Sequence, residues 1–76
     1  MSARTAWEAG EREAPRLVDV MRRTLNMTPG VRIDYVEVRD AETLAVADGC
    51  IARPVVTAIA AFVGATRLID NQLLAP

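Results

Sequence analysis

The sequence predicts an α+β fold: a two-layer domain with two N-terminal helices packed on a small three-stranded antiparallel sheet. Three observations carry this. Leu17, Val20, Met21, Thr24 and Leu25 recur at i, i+3, i+4, i+7 and i+8, the stripe of an amphipathic helix. Val31 to Arg39 is strand-like, with apolar and polar residues in alternation. Val55 to Val63 is apolar apart from Thr57, meets a glycine turn at Gly64, and is followed by a returning segment from Arg67 to Leu73. That pattern reads as a central strand and a hairpin. At 76 residues, the chain makes one small domain, 1–76, which buries only about 60 % of its unfolded surface.

Each element follows from local chemistry. Ala3, Ala6 and Trp7 form a short helical stripe within Ser2–Glu11, and Gly10 ends it. Arg4 with Glu8, and Glu8 with Arg12, stand four apart and are placed to pair. A helix this short is marginal in water and needs an anchor, which Trp7 supplies. The second helix starts at Pro15, which fits a first turn, and stops near Asn26, before Thr28-Pro29-Gly30. Its polar face carries Arg16, Asp19, Arg22, Arg23 and Asn26. In the first strand Val31, Ile33 and Tyr35 share one phase, and Val36 and Val38 the other. The slip calls for a bulge, or burial of both faces, near Tyr35-Val36. Asp40 then caps a turn through Ala41-Glu42-Thr43-Leu44, and Asp48-Gly49 is another turn. The last strand is expected to be the shorter one. A sheet this small leaves two edges and a bare face, which favours a partner surface.

Composition narrows the chemistry. Histidine is absent, which removes the usual general base and the commonest metal ligand. The single Cys50 can form neither an internal disulfide nor a zinc cluster. All nine basic residues are arginine, against ten acids. No clustered positive excess points to nucleic acid, and without lysine there is no Schiff-base chemistry or phosphate-loop lysine. The longest apolar run is far too short to cross a bilayer, and Met1 to Gly10 lacks a signal-peptide centre. The expectations are therefore no nucleic acid, no membrane and a cytoplasmic location.

The run Pro29-Gly30-Val31-Arg32-Ile33-Asp34-Tyr35-Val36-Glu37-Val38-Arg39-Asp40-Ala41-Glu42-Thr43-Leu44 and the run Ile59-Ala60-Ala61-Phe62-Val63-Gly64-Ala65-Thr66-Arg67-Leu68-Ile69-Asp70-Asn71 together carry a family signature. They resemble the C-terminal domain of pantothenate synthetase, the pantoate–β-alanine ligase. In that family a strand with a D-Y-x-x-x-x-D pattern precedes a small T-L turn, and an apolar strand, a glycine turn and R-L-I-D-N close the protein. The resemblance covers residues 29 to 74 strongly and the helical part more weakly. It implies an ATP-dependent, AMP-forming ligation through pantoyl adenylate, with magnesium. It also implies that this chain is the lid-like small domain, inactive alone, whose partner is an N-terminal nucleotide-binding domain not present here. The family's histidine-rich phosphate motif and lysine-serine loop have no counterpart, so no catalytic, cofactor-binding or metal-binding residue is carried over, and the chain itself is expected to bind no cofactor. A homodimer is compatible with this reading. The rival is a stand-alone interaction or oligomerisation module using the sheet edge or the face of Trp7, Leu17, Val20 and Met21.

Among polar residues, Arg67, Asp70 and Asn71 are the most suggestive group, with Asp40 and Arg39 nearby on the sheet. They serve either an interdomain contact or a salt bridge and turn cap that fix the last hairpin, and the structural role is the stronger reading. Asp34 and Glu37 point to opposite faces of a regular strand and so make no natural acid–base pair, although a bulge between them would let them converge. Gly64 suits a positive-φ turn rather than a phosphate cradle.

Overall fold

The computed structural model describes residues 2–75. Its elements run α1 (Ala3–Glu8), α2 (Ala14–Asn26), β1 (Val31–Asp40), β2 (Val55–Val63) and β3 (Thr66–Leu74). The strands form one antiparallel sheet in the order β1-β2-β3, and the helices pack on one face of it. This is the α+β arrangement that the periodicities predict.

Short α1 survives because both of its ends are tied down. The Ser2 hydroxyl accepts a hydrogen bond from the Thr5 amide at 3.1 Å, a standard N-cap. Gly10, at φ +104°, turns the chain out of the helix. Trp7 is only 4 % exposed, and its indole Nε1 donates to the Ala75 carbonyl at 3.0 Å. Arg4 Nη2 donates to the Leu73 carbonyl at 3.2 Å, so α1 clamps the end of β3. The pairs expected along the helix, Arg4–Glu8 and Glu8–Arg12, are not made. The helix stops at Glu8, so Arg12 lies beyond it. There its guanidinium stacks on Trp7, 3.7 Å from the ring centroid, and donates to the Trp7 carbonyl at 2.7 Å.

α2 carries Pro15 in its first turn and ends at Asn26, as the capping signals require. Leu17 and Met21 are buried, and Val20 and Leu25 pack against the same cluster. Arg16, Asp19, Arg22, Arg23 and Asn26 face solvent. Beneath them lie Val36, Val38 and Ile33 of β1, Val55 and Ile59 of β2 and Leu74 of β3. Burying a Leu side chain such as Leu17, which is fully covered, contributes about 2 kcal/mol. The segment from Ala41 to Pro54 closes the far end. Ile51 is buried, its amide donates to the Arg12 carbonyl at 2.7 Å, and Ala14 donates to the Gly49 carbonyl at 2.9 Å. The loop therefore staples the α1–α2 junction to the sheet.

Two details of the sheet differ from expectation. β3 is as long as β2, nine residues each, because the two-residue connection Gly64-Ala65 lets pairing begin at Val63–Thr66. Gly64 has φ +61° while Ala65 stays in the ordinary region, the pattern of a type II′ hairpin turn. The bulge falls between Ile33 and Tyr35, slightly earlier than the sequence phase alone indicates. Asp34 is the extra residue.

Candidate functional site

Directly paired residues of an antiparallel sheet point to the same face. The helix-covered face therefore carries Val36, Ile59 and Asp70 in one row and Ile33, Ala61 and Leu68 in the next. The opposite face has no helix over it among the described residues. Its rows are Arg32–Phe62–Arg67, Tyr35–Ala60–Ile69, Glu37–Ala58–Asn71 and Arg39–Val56–Leu73. Val46, bridged to Arg39, extends the last row.

The bulge organises this uncovered face. A bulge re-aims the side chain of the extra residue, and here it sends the Asp34 carboxylate across β2 to β3. Asp34 Oδ2 accepts from Arg67 Nε at 3.1 Å and from Nη2 at 3.0 Å. The same guanidinium lies 5.9 Å from the centroid of Tyr35. Arg32 stacks on Phe62 at 4.5 Å and has no carboxylate partner among the described residues. Glu37 pairs with Arg39. Asp34 and Glu37 thus share a face, contrary to the reading for a regular strand, because the bulge cancels the alternation. Each is neutralised by its own arginine, so they form no acid–base pair.

Asp40 belongs to a different place. Its pairing partner Val55 and the Arg67 partner Phe62 are seven residues apart on β2, about 23 Å along the strand. Arg67, Asp70, Asn71 and Asp40 are consequently not one cluster. Asp40 caps the turn after β1, with Oδ1 accepting from the Glu42 and Thr43 amides, both at 2.9 Å. Arg53 Nε lies 3.2 Å from its other oxygen. Those amide hydrogen bonds, reinforced by Arg53, hold the Asp40 carboxyl below its ordinary value. Leu44 closes the turn at φ 62°, and its carbonyl accepts from Arg39 Nη1 at 2.7 Å.

Asp70 and Asn71 make no side-chain hydrogen bond or ion pair among the described residues. Asn71 stands on the uncovered face. Asp70 lies on the helix side, at the rim of a cleft of about 140 Å³ shared with Met21, Leu25, Thr57, Ile59 and Gln72. Sequence reasoning missed the partners Asp34, Arg53 and Arg32–Phe62. For Asp34 the signal was present in the phase slip, which said that some residue must leave its regular face. Among the described residues no group of three or more His, Cys, Asp or Glu side chains could hold a metal ion. Among the same residues no helix is long and apolar enough to cross a membrane.

The profile of the pantoate-beta-alanine ligase family matches residues 1–73. The chain belongs to the pantoate–β-alanine ligase family. It is 46 % identical over 66 residues to the pantothenate synthetase of Acidobacterium capsulatum, covering 87 % of this chain and 22 % of that protein. It is 42 % identical over 73 residues to the pantothenate synthetase of Geobacter sulfurreducens, covering 96 % of this chain and 25 % of that one. A bifunctional pantoate ligase/cytidylate kinase of a Synechococcus species is 41 % identical over 70 residues, 92 % of this chain and 13 % of the relative. The chain spans about a quarter or less of the length of these relatives. The D-Y and R-L-I-D-N segments of the family pattern meet physically in the Asp34–Arg67 pair. The second aspartate of D-Y-x-x-x-x-D, Asp40, caps the turn that contains Thr43-Leu44.

Proposed function

We propose that these 76 residues are the small C-terminal domain of a pantoate–β-alanine ligase, a lid that closes over a nucleotide-binding portion lying outside them and is inactive alone. The observation that carries the reading is the family match over 1–73 in a chain about a quarter of its relatives' length. The chemistry present agrees. The chain has neither histidine nor lysine, and the carboxylates on the uncovered face are held by arginines. The glycine at the last hairpin serves a two-residue turn, too tight to wrap a phosphate. These residues do not fit ATP with magnesium, and both are assigned on this reading to the larger portion.

A lid has a physical purpose in this reaction class. Adenylation of pantoate releases pyrophosphate, and β-alanine then displaces AMP. Water competes for the acyl adenylate, so a cover that excludes water protects the intermediate. Such a cover contributes shape and a few polar contacts. A cytoplasmic location goes with the reading. The test is domain replacement. The 76 residues replace the matching segment of the Geobacter sulfurreducens enzyme, and pantothenate formation from ATP, pantoate and β-alanine is measured. The hybrid is expected to turn over, and the isolated chain neither to turn over nor to bind ATP in calorimetry. A stoichiometric, tight ATP site on the isolated chain, or pantothenate made by it, overturns the reading.

A further inference from the structure

We propose that the uncovered sheet face, centred on Phe62, Ile69 and Val56, is the surface that docks on the nucleotide-binding portion of the ligase, which presents there an apolar patch with an acidic group opposite Arg32. This rests on the lid reading above and specifies which side of the lid is used. The first support is β2 itself. An antiparallel strand with one solvated face alternates apolar and polar residues. β2 does not: Val55, Ile59 and Ala61 lie on the helix side, while Val56, Ala58 and Phe62, each half-buried, and Ala60, already buried by its neighbours on the sheet, face away. Its composition is that of a strand covered on both sides, yet the helices supply only one cover. The neighbouring strands continue the patch with Ile69 and Leu73, each 57 % exposed, and Val46, 63 % exposed.

Charge selects the occupant. Asp34 is held by Arg67 and Glu37 by Arg39, which leaves Arg32 stacked on Phe62 without a counter-ion among the described residues. Covering this face removes Arg32 from water, so the partner must bring a carboxylate. A second copy of this chain laid face to face has none to give, since both acids on the face are committed and each copy brings its own unpaired arginine. The relatives are some four times as long as the segment matched here, so in this architecture the remaining three-quarters of the polypeptide is the available partner.

Leu68 and Ile69 make the test internal to the sheet. They are adjacent, 54 % and 57 % exposed, and point to opposite faces. Leu68→Cys and Ile69→Cys are made separately in a Cys50→Ser background, and maleimide labelling at each site is followed by mass spectrometry. In the isolated chain both thiols label at similar rates. In the hybrid enzyme Cys at 69 slows by roughly tenfold or more while Cys at 68 does not, and Ile69→Lys lowers kcat/KM by about tenfold or more, as expected for burying an unpaired charge, while Leu68→Lys does not. Equal labelling at the two sites, or slowing at 68 alone, overturns the inference, and the lid reading survives if the hybrid still makes pantothenate. A hybrid that makes none refutes the lid reading, and the labelling pattern still reports on the face. Concentration-dependent protection of position 69 in the isolated chain identifies a second copy as the occupant and overturns the inference. Should the hybrid be insoluble, the same cysteine pair at the matching positions of the intact Geobacter enzyme decides the question on the same criteria.

Discussion

Removal of the Arg67 side chain is expected to cost stability through one measurable interaction. Arg67 and Asp34 join the outer strands across β2, with side chains 43 % and 40 % exposed. Exposed ion pairs contribute roughly 0.2–1 kcal/mol. Two hydrogen bonds to one carboxylate oxygen place this pair near the top of that range, and the nearby Tyr35 ring adds about 0.5 kcal/mol at most. Arg67→Ala should therefore destabilise the chain by about 1 kcal/mol, a fall in melting temperature of roughly 4–8 °C for a domain of this size. The assay is a double-mutant cycle with Asp34→Ala, read by thermal and urea unfolding at low and high salt. A coupling of about 0.5–1 kcal/mol that shrinks in 1 M salt, where screening acts within about 3 Å, is the expected result. Arg67→Lys should recover under half of it, because an ammonium cannot reproduce the planar fork. Additivity of the two single substitutions would refute the reasoning. In the hybrid enzyme Arg67→Ala should affect the melt more than the single-turnover rate, and a slower rate at an unchanged melt would move Arg67 from structure to chemistry.

Two other perturbations probe the rest of the fold. Trp7→Ala removes the α1 anchor, which is 4 % exposed, at a cost of about 3–5 kcal/mol; since small domains rarely hold more than that, far-UV circular dichroism should show the chain largely unfolded at 25 °C, and a cooperative melt above 40 °C would show that α1 is dispensable. For Asp40, hydrogen bonds to the ionised carboxyl lower its pKa in the folded state, so its contribution is present above the ordinary carboxylate value of 3.8 and is lost as pH falls through the lowered value; the stability difference between wild type and Asp40→Asn should narrow as pH is taken below 3.8, and a difference independent of pH there would contradict the assignment.

Local pattern made some elements legible in the sequence, and long-range contacts hid others. α2 was legible, because Leu17, Met21 and Leu25 obey one period and Pro15 and Pro29 bound it. The hairpin was, because Gly64 supplies the positive φ that a two-residue connection needs. The bulge was legible in kind and displaced in place: the phase of Ile33 against Val36 demands one extra residue, but which residue leaves the ladder depends on what its side chain can reach. Here it is Asp34, whose carboxylate meets Arg67 on β3, 33 residues later. The same non-local dependence explains why Arg67, Asp70, Asn71 and Asp40 looked like one group. Composition placed them near each other in type, while the register set Arg67 and Asp40 at opposite ends of β2. The Arg12–Trp7 stack was missed because helical spacing was carried past Gly10, the helix end that the sequence itself marks, and so assigned Arg12 to Glu8.

The bulge also links the two faces of the sheet. Without it, Asp34 would alternate with Ile33 and Tyr35 as in a regular strand, and the strand could not present Val36 and Val38 to α2 while keeping Ile33 in the same core. The extra residue lets all three face the helices and shifts Asp34 to where it can meet Arg67. With Asp34 held by Arg67 and Glu37 by Arg39, Arg32 has no free acid left on its face among the described residues. The packing demand of the helix layer thus leaves the opposite face apolar in the middle and one positive charge in excess at its end. That combination is costly to bury against a copy of itself and favourable to bury against an apolar surface that carries an acid. On the docking proposal, the core thus sets the choice of partner surface through a single inserted residue in β1.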